Sequence, residues 1–406
     1  MFADLPKDRI VGLDLARFVA LVGMIATHVW LYADLVTSEQ VWFSAEFRGR
    51  ASALFAVLAG VGVVLSTRTV LSQSRHGSAR WMLVFRGAAL VAIGLTLGLL
   101  RPPMLLILVS YGVMFCFLAL VLTLGRRALV VLSIFIGLAA PVLSLLVAMW
   151  SRIGNATEVD NPSWLDLAEP LPVIRSLLFT GEYPVAIWLT YGLAGMIVAR
   201  SLLRPANVKE LRLVSVRVLV VGVGIWAFGL AAAASVHVIL GGVYAVVVDT
   251  GRIGRPLGGS LAYLLGAGPH NGTSFDLLLT IGFAVTAIGL LVLLGTALGP
   301  LARLILSPVI GAGSAPLTVY SAHVALVACA VIYATGKTYG ALTDQELQTT
   351  TDTWWISNGT FFAANVVLVL LIGAAVAWSA KRGPLETVVT WAGKTAARMS
   401  SRSKTV

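Results

Sequence analysis

The chain alternates long apolar runs with short polar ones. Ten runs, at residues 10–32, 46–67, 82–100, 103–124, 128–150, 183–200, 215–236, 276–298, 312–334 and 359–380, are each long enough as helices to cross a hydrocarbon core of roughly 30 Å. The pattern predicts an all-α fold, a polytopic integral membrane bundle of about 10–11 transmembrane helices. The eleventh rests on an apolar stretch from Leu257 to Leu265, too short to span alone and readable as re-entrant or interfacial. From Pro384 the sequence turns amphipathic and basic, which suits an interfacial helix on anionic lipid. Residues 1–382 therefore read as one membrane domain and 383–406 as a cytoplasmic tail.

Charge orients the bundle. Basic residues gather in alternate loops, around Arg68, Arg75, Arg80 and Arg86, then Arg126 and Arg127, then Arg200 to Arg217, and finally the tail with Lys381 and Arg382. Positive-inside bias places both termini in the cytoplasm and the chain in a plasma membrane. On the outer side, Arg101-Pro102-Pro103 reads as a tight turn. Trp354 and Trp355 read as interface anchors, and Glu182 as a solvated residue ahead of the sixth span.

Composition removes several function classes. With 58% hydrophobic and 12% charged residues, there is no stretch for a soluble catalytic domain. The net charge of +11 follows the loops, so it speaks for lipid and orientation, and no nucleic-acid partner is expected. Cys116 and Cys329 sit in apolar runs as free thiols. No phosphate-binding loop, HExxH or zinc-spaced Cys pair occurs, so no metal is expected. Triplets at Asn155, Asn271 and Asn358 match a glycosylation acceptor, which matters only in a glycosylating secretory pathway.

The chemistry concentrates in the first span. Asp14 and Arg17 are spaced i, i+3 and can meet on the helix surface. His28 is eleven residues beyond Arg17, about 20° out of line and about 16 Å further along the axis. Ionisable groups inside a membrane usually face a bundle interior or wet cavity. Arg17 suits a phosphate, with Asp14 orienting it, and His28 suits a general base or a transient acyl carrier. An ion pair that only packs helices, and a His that only bonds a neighbour, are the plainer readings. Arg48 and Arg50, at the outer start of span two, suit acceptor binding or an oxyanion, or simple snorkelling. His270, Asp276, Tyr320 and His323 are further candidate contacts; Thr273 or Ser274 with Asp276 also reads as a helix cap, and Tyr320 and His323 share a helix face.

These residues carry a family resemblance. Arg9…Gly12-Leu13-Asp14-Leu15-Ala16-Arg17…Gly23-Met24…His28 resembles the opening helix of bacterial membrane proteins related to heparan-alpha-glucosaminide N-acetyltransferase, and of the wider transmembrane acyltransferase group. Gly49 to Gly60, Phe179 to Pro184 with Tyr191-Gly192-Leu193-Ala194-Gly195-Met196, and His270 to Thr273 with Leu317 to His323 are similar to the same family. The resemblance implies acyl-CoA, in the first instance acetyl-CoA, as co-substrate loaded from the cytosol. It implies a glycan or lipid-linked sugar of the cell envelope as acceptor on the outer side, and places His28 at the catalytic position. Phe18 and Gly23 depart from type-three acyltransferases, whose acceptors are not carried over. The rival reading is a transporter or flippase for a small anionic solute or lipid-linked sugar, which broken helices and matching halves would favour; the sequence shows neither clearly. Oligomeric state, a homodimer among the options, stays open.

Overall fold

The computed structural model describes residues 9–34, 39–153, 158–241, 261–349 and 353–402. Asn155 and the first part of the Leu257–Leu265 stretch lie outside them. The remainder of that stretch, Leu261–Leu265, is a single short 3-10 helix.

Among the described residues, nine helical segments are long and apolar enough to cross a membrane. The first is α1 (Val11–Val29), followed by a short antiparallel pair, β1 (Tyr32–Asp34) with β2 (Glu39–Gln40). Helix α2 (Trp42–Phe47) leads into α3 (Arg50–Ser72), and α4 (His76–Gly98) returns. Then come α5 (Leu108–Leu120), α6 (Arg126–Ile153), α7 (Pro170–Arg175), α8 (Val185–Leu202) and α9 (Val208–Leu240). The chain continues through α10 (Ser274–Ala297), α11 (Pro300–Ile305), α12 (Ser307–Ser314), α13 (Pro316–Thr335) and α14 (Asp344–Thr349). It closes with α15 (Gly359–Ser379) and α16 (Pro384–Arg402). The polytopic all-α bundle inferred from the sequence is therefore the architecture observed.

The spans sort into an inner and an outer set. In α1 and α8, 61% and 67% of the spanning window is buried, against 22%, 22% and 17% in α6, α9 and α15. The first pair forms the centre and the other three face lipid. Helix α3 crosses α8 at direct backbone contact. A Cβ at Gly195 would collide with the Val57 carbonyl, and one at Gly60 with the Gly192 carbonyl. Those two small-residue stretches thus serve close helix approach.

Four sequence expectations need correction. Residues 103–124 run antiparallel along α4 but are not one continuous helix: Pro102 and Pro103 lack the N–H groups a helix needs, and α5 starts only at Leu108, with 13 residues. Asn161 holds the non-helical segment before it, accepting from Leu106 N at 2.8 Å and donating to the Met104 carbonyl at 3.0 Å. The span expected at 312–334 is present but starts later, because Pro316 cannot continue α12 and opens α13 instead. Trp355 is a core residue and no interface anchor; it is 1% exposed among Ala330, Val331 and Tyr339. Arg86 belongs to the interior of α4 and not to a loop.

The tail packs against the bundle. Helix α16 lies along α4, where Arg75 Nη2 donates to the Ala397 carbonyl at 3.1 Å. Glu386 accepts from Leu317 N at 2.6 Å, Thr318 N at 3.1 Å and Thr318 Oγ1 at 2.6 Å. A carboxylate from the tail thereby caps the N-terminus of α13, satisfying orphan N–H groups and complementing the helix dipole.

Candidate active site

The far end of α1 is pinned to the start of α15. Asn358 N donates to the Val29 carbonyl at 3.0 Å, and Trp30 stacks on Phe362 with ring centroids 5.0 Å apart. Asn358 itself caps α15, accepting from Thr360 N and Phe361 N at 2.8 and 3.0 Å. This clamp sets three polar side chains in a row. His28 Nδ1 lies 3.0 Å from His323 Nε2, and His323 Nδ1 lies 2.8 Å from Asn365 Oδ1. The imidazole planes differ by only 9°, as an in-plane N–H···N bond requires.

The row has one direction. Asn365 Nδ2 is 2.9 Å from the Phe361 carbonyl, which can only accept, so the amide is fixed with Oδ1 toward His323. His323 must then donate from Nδ1 and accept at Nε2. His28 must donate from Nδ1, which leaves its Nε2 as a lone pair. Asn365 and His323 are fully buried, 0% and 2% exposed, so water does not compete for these bonds. A neutral imidazole with a fixed tautomer and an unprotonated nitrogen is the form a general base takes.

At the opposite end of α1, Asp14 accepts from Arg9 Nε at 2.6 Å and from Arg17 Nη1 at 2.9 Å. Arg17 spends one of its five donors there and is held in orientation. Asp14 sits fourteen residues from His28, about 21 Å along the axis, so it acts on Arg9 and Arg17 and not at the imidazole. A Cβ at Gly313 would collide with the Asp14 carbonyl, so this end of α1 packs directly on α12. Arg9, Asp14 and Arg17 open onto a cavity of about 1610 Å³. Phe55, Leu108, Tyr111 and Phe115 line it, as do Arg86, Arg303, Lys381 and Arg382.

Across the bundle is a second, far smaller pocket of about 30 Å³. Ser52, Ser144, Glu182, Trp188, Tyr191, Tyr263, His270 and Asp276 line it. Tyr111 separates the two spaces: it stacks on Phe55 at 5.6 Å and meets Trp188 at 6.1 Å. His270 Nδ1 is 3.4 Å from Glu182 Oε1. Glu182 is 8% exposed, so it is a buried partner and not the solvated residue expected. The carboxylate favours an imidazolium, yet burial and the nearby Arg48 guanidinium outweigh it and bring the His270 pKa down to about 4. His270 and Gly272 adopt left-handed φ of 62° and 66°, turning the loop so that Gly272 N reaches Asp276 Oδ2 at 2.9 Å.

The remaining sequence candidates divide. Asp276 N bonds Thr273 Oγ1 at 3.2 Å, so Thr273 is the cap of α10 and Asp276 completes it. The Tyr320 hydroxyl accepts from Ile107 N at 3.4 Å and props the non-helical segment just before Leu108, which lines the cavity. Arg50 is tied to Glu46 and lies over Trp226 and Phe283, 6.0 and 5.8 Å from their centroids. The Arg48 guanidinium is near enough to disfavour a charged His270. Asn365 was absent from the sequence candidates; its one signal is a lone amide inside the apolar run of α15. Among the described residues, no group of three His, Cys, Asp or Glu side chains is arranged to hold a metal.

A large basic cavity, a small polar pocket and an ordered pair of imidazoles thus lie within one membrane-type helical bundle. The family model for the heparan-alpha-glucosaminide N-acetyltransferase catalytic domain matches residues 9–227, and the chain belongs to that family of transmembrane acetyltransferases. The match includes Asp14, Arg17, His28, Arg86 and Glu182, while His323, Asn365 and Arg382 come from beyond it. No curated protein matches the chain.

Proposed function

We propose that the protein moves an acyl group, acetyl in the first instance, from acyl-CoA to an acceptor sugar on the opposite side of the membrane. The single observation that carries this reading is the His28 Nε2 lone pair, oriented by His323 and Asn365. The donor enters the large basic cavity, with Arg17 and Arg9 on its phosphates and Asp14 holding both guanidiniums. Its thioester end points toward Tyr111 and the relay. The acceptor's amine or hydroxyl comes from the side of Glu182, His270 and Arg48. Positive-inside bias puts the donor in the cytosol and the acceptor outside, in a plasma membrane.

In the transfer, His28 Nε2 takes the acceptor's proton as its nitrogen or oxygen attacks the thioester carbonyl. The new C–N or C–O bond forms, the C–S bond breaks, and the imidazolium returns its proton to the departing thiolate. His323 takes up the growing charge through the Nδ1–H bond, with Asn365 behind it. The break after Ser314 and the non-helical segment before Leu108 are features that a transporter shares. The family membership and the oriented base favour transfer. Thiol release from acetyl-CoA with glucosamine as probe acceptor tests the reading. His28→Ala is expected to lower the rate by ~10²–10⁴ while leaving CoA binding intact; a folded His28→Ala protein with the native rate overturns the assignment.

A further inference from the structure

The small pocket is closed as it stands. Its volume is about 30 Å³, room for a water or two, whereas ligand pockets hold roughly 300–1,000 Å³. A sugar that carries the acceptor group enters only if a wall moves. The walls from α3, α8 and α10 are locked: α3 and α8 touch through Gly60 and Gly195, and Gly282 and Gly295 bring α10 against the backbones of α9 and α1. The His270 loop is tied down as well, by Gly272 N on Asp276 and the Tyr263 hydroxyl on the Asn271 carbonyl. The wall from α6 is held less. It places Pro141, Ser144, Leu145 and Ala148 on the pocket, at i, i+3, i+4 and i+7. Pro141 sits inside the helix and has no N–H for the Gly137 carbonyl; Ser274 Oγ of α10 donates to that carbonyl instead, at 2.8 Å. The half of α6 beyond Pro141 is thereby uncoupled from the half that Ser274 holds. One turn on, Ser144 Oγ is buried without a hydrogen-bond partner, although Thr67, Ser201 and Ser215 each return theirs to the carbonyl four residues back. The opposite face of the same half carries Leu143, Leu146 and Trp150, all exposed, Trp150 by 73%.

We propose that the half of α6 beyond Pro141 is a hinged side door, and that the acceptor is a sugar on a lipid anchor, entering the small pocket from the bilayer. This rests on the reading of the small pocket as the acceptor site and narrows the acceptor class. The outward face of the door is apolar, so its opening joins the pocket to the bilayer and not to water. A free sugar loses its hydration on that route. A lipid-borne one keeps its anchor among the acyl chains and turns only its head group inward. Ser144 gives that head group a hydrogen-bond partner on the door itself, and the pocket's own hydroxyl gains the partner it lacks. Trp150, near the outer end of α6, has the amphipathic ring that collects at the head-group level, where such an acceptor waits.

The test is acetyl transfer by the full chain in liposomes with two probe acceptors, free glucosamine and glucosamine joined to diacylglycerol. Pro141→Ala restores the missing N–H and stiffens the hinge. It is expected to lower kcat/KM for the lipid-borne sugar by about tenfold, the worth of one backbone hydrogen bond, and to change that for free glucosamine by less than about twofold. Ser144→Ala is expected to raise the KM of the lipid-borne sugar about fivefold. Neither residue lines the donor cavity, so calorimetric acetyl-CoA binding stays native in both variants and shows that they fold. A native rate on the lipid-borne sugar in Pro141→Ala, or an equal fall on both acceptors, overturns the side door while leaving acetyl transfer standing. Native protein that acetylates free glucosamine alone does the same. Transfer to neither acceptor overturns the transfer reading itself.

Discussion

Replacing Asn365 with Leu tests the relay at the residue furthest from any substrate. The side chain is fully buried and fixes the His323 tautomer through a 2.8 Å bond. Without the acceptor, His323 has two options. It keeps its Nδ1 proton with that N–H unsatisfied, at a cost of ~1–3 kcal/mol. Alternatively it moves the proton to Nε2, points an N–H at His28 Nδ1, and forces the His28 proton onto Nε2, where the base has to be free. Either way the productive arrangement is disfavoured by ~1–3 kcal/mol, a loss of about 5- to 150-fold in turnover. Asn365 does not line the proposed donor cavity, so CoA affinity should hold. Steady-state acetyl transfer reads the first effect, calorimetric CoA binding the second, and the ¹⁵N shift of His28 Nε2 reports whether it is protonated. Native turnover in a folded Asn365→Leu protein refutes the reasoning.

Further outcomes follow from other parts of the site. Asp14→Asn removes both ion pairs and frees Arg9 and Arg17, so the donor KM should rise and the thermal midpoint fall, with a stability loss of ~1–3 kcal/mol, which enzyme kinetics and a melt will measure. His270 has a folded pKa of about 4 against 6.5 unfolded, so the unfolded chain binds the extra proton between these values. Its contribution is therefore complete above pH 6.5 and is lost as pH falls toward 4; His270→Gln should flatten that part of the stability profile in pH-dependent denaturation. Glu386→Ala removes three hydrogen bonds from the start of α13 and should detach α16, seen as faster proteolysis of the tail and a raised donor KM. Gly195→Leu places a side chain where α3 and α8 touch and should prevent folding, read as loss of the monodisperse peak in size-exclusion chromatography.

Local chemistry was legible in the sequence, and long-range pairing was not. The Asp14–Arg17 bridge follows from helical spacing, and the Thr273–Asp276 cap from an interval of three residues before an apolar run. Apolar length alone located nine long helices, but it read 103–124 as helix throughout, where two prolines and the Asn161 amide make an irregular first part stable inside the protein. The same measure fused α12 with α13 across Pro316. His28 and His323 were each suspect as lone membrane histidines, but 295 residues separate them and nothing in periodicity joins them. Asn365 is 42 residues from His323 and on another helix; only the fold shows that it orients the relay. The tail read as amphipathic because it is, yet its inner face meets α4 and not lipid alone.

The most direct test of the account is sided. Protein in proteoliposomes, with acetyl-CoA confined to the face bearing Arg17 and glucosamine to the face bearing His270, should release free thiol on the first side and acetylated sugar on the second. Native protein is expected to do both in equal amount and His28→Ala neither, with CoA still bound. Absence of acetyl-CoA turnover by folded native protein across a panel of sugar acceptors, or export of intact sugar without acetylation, would contradict it.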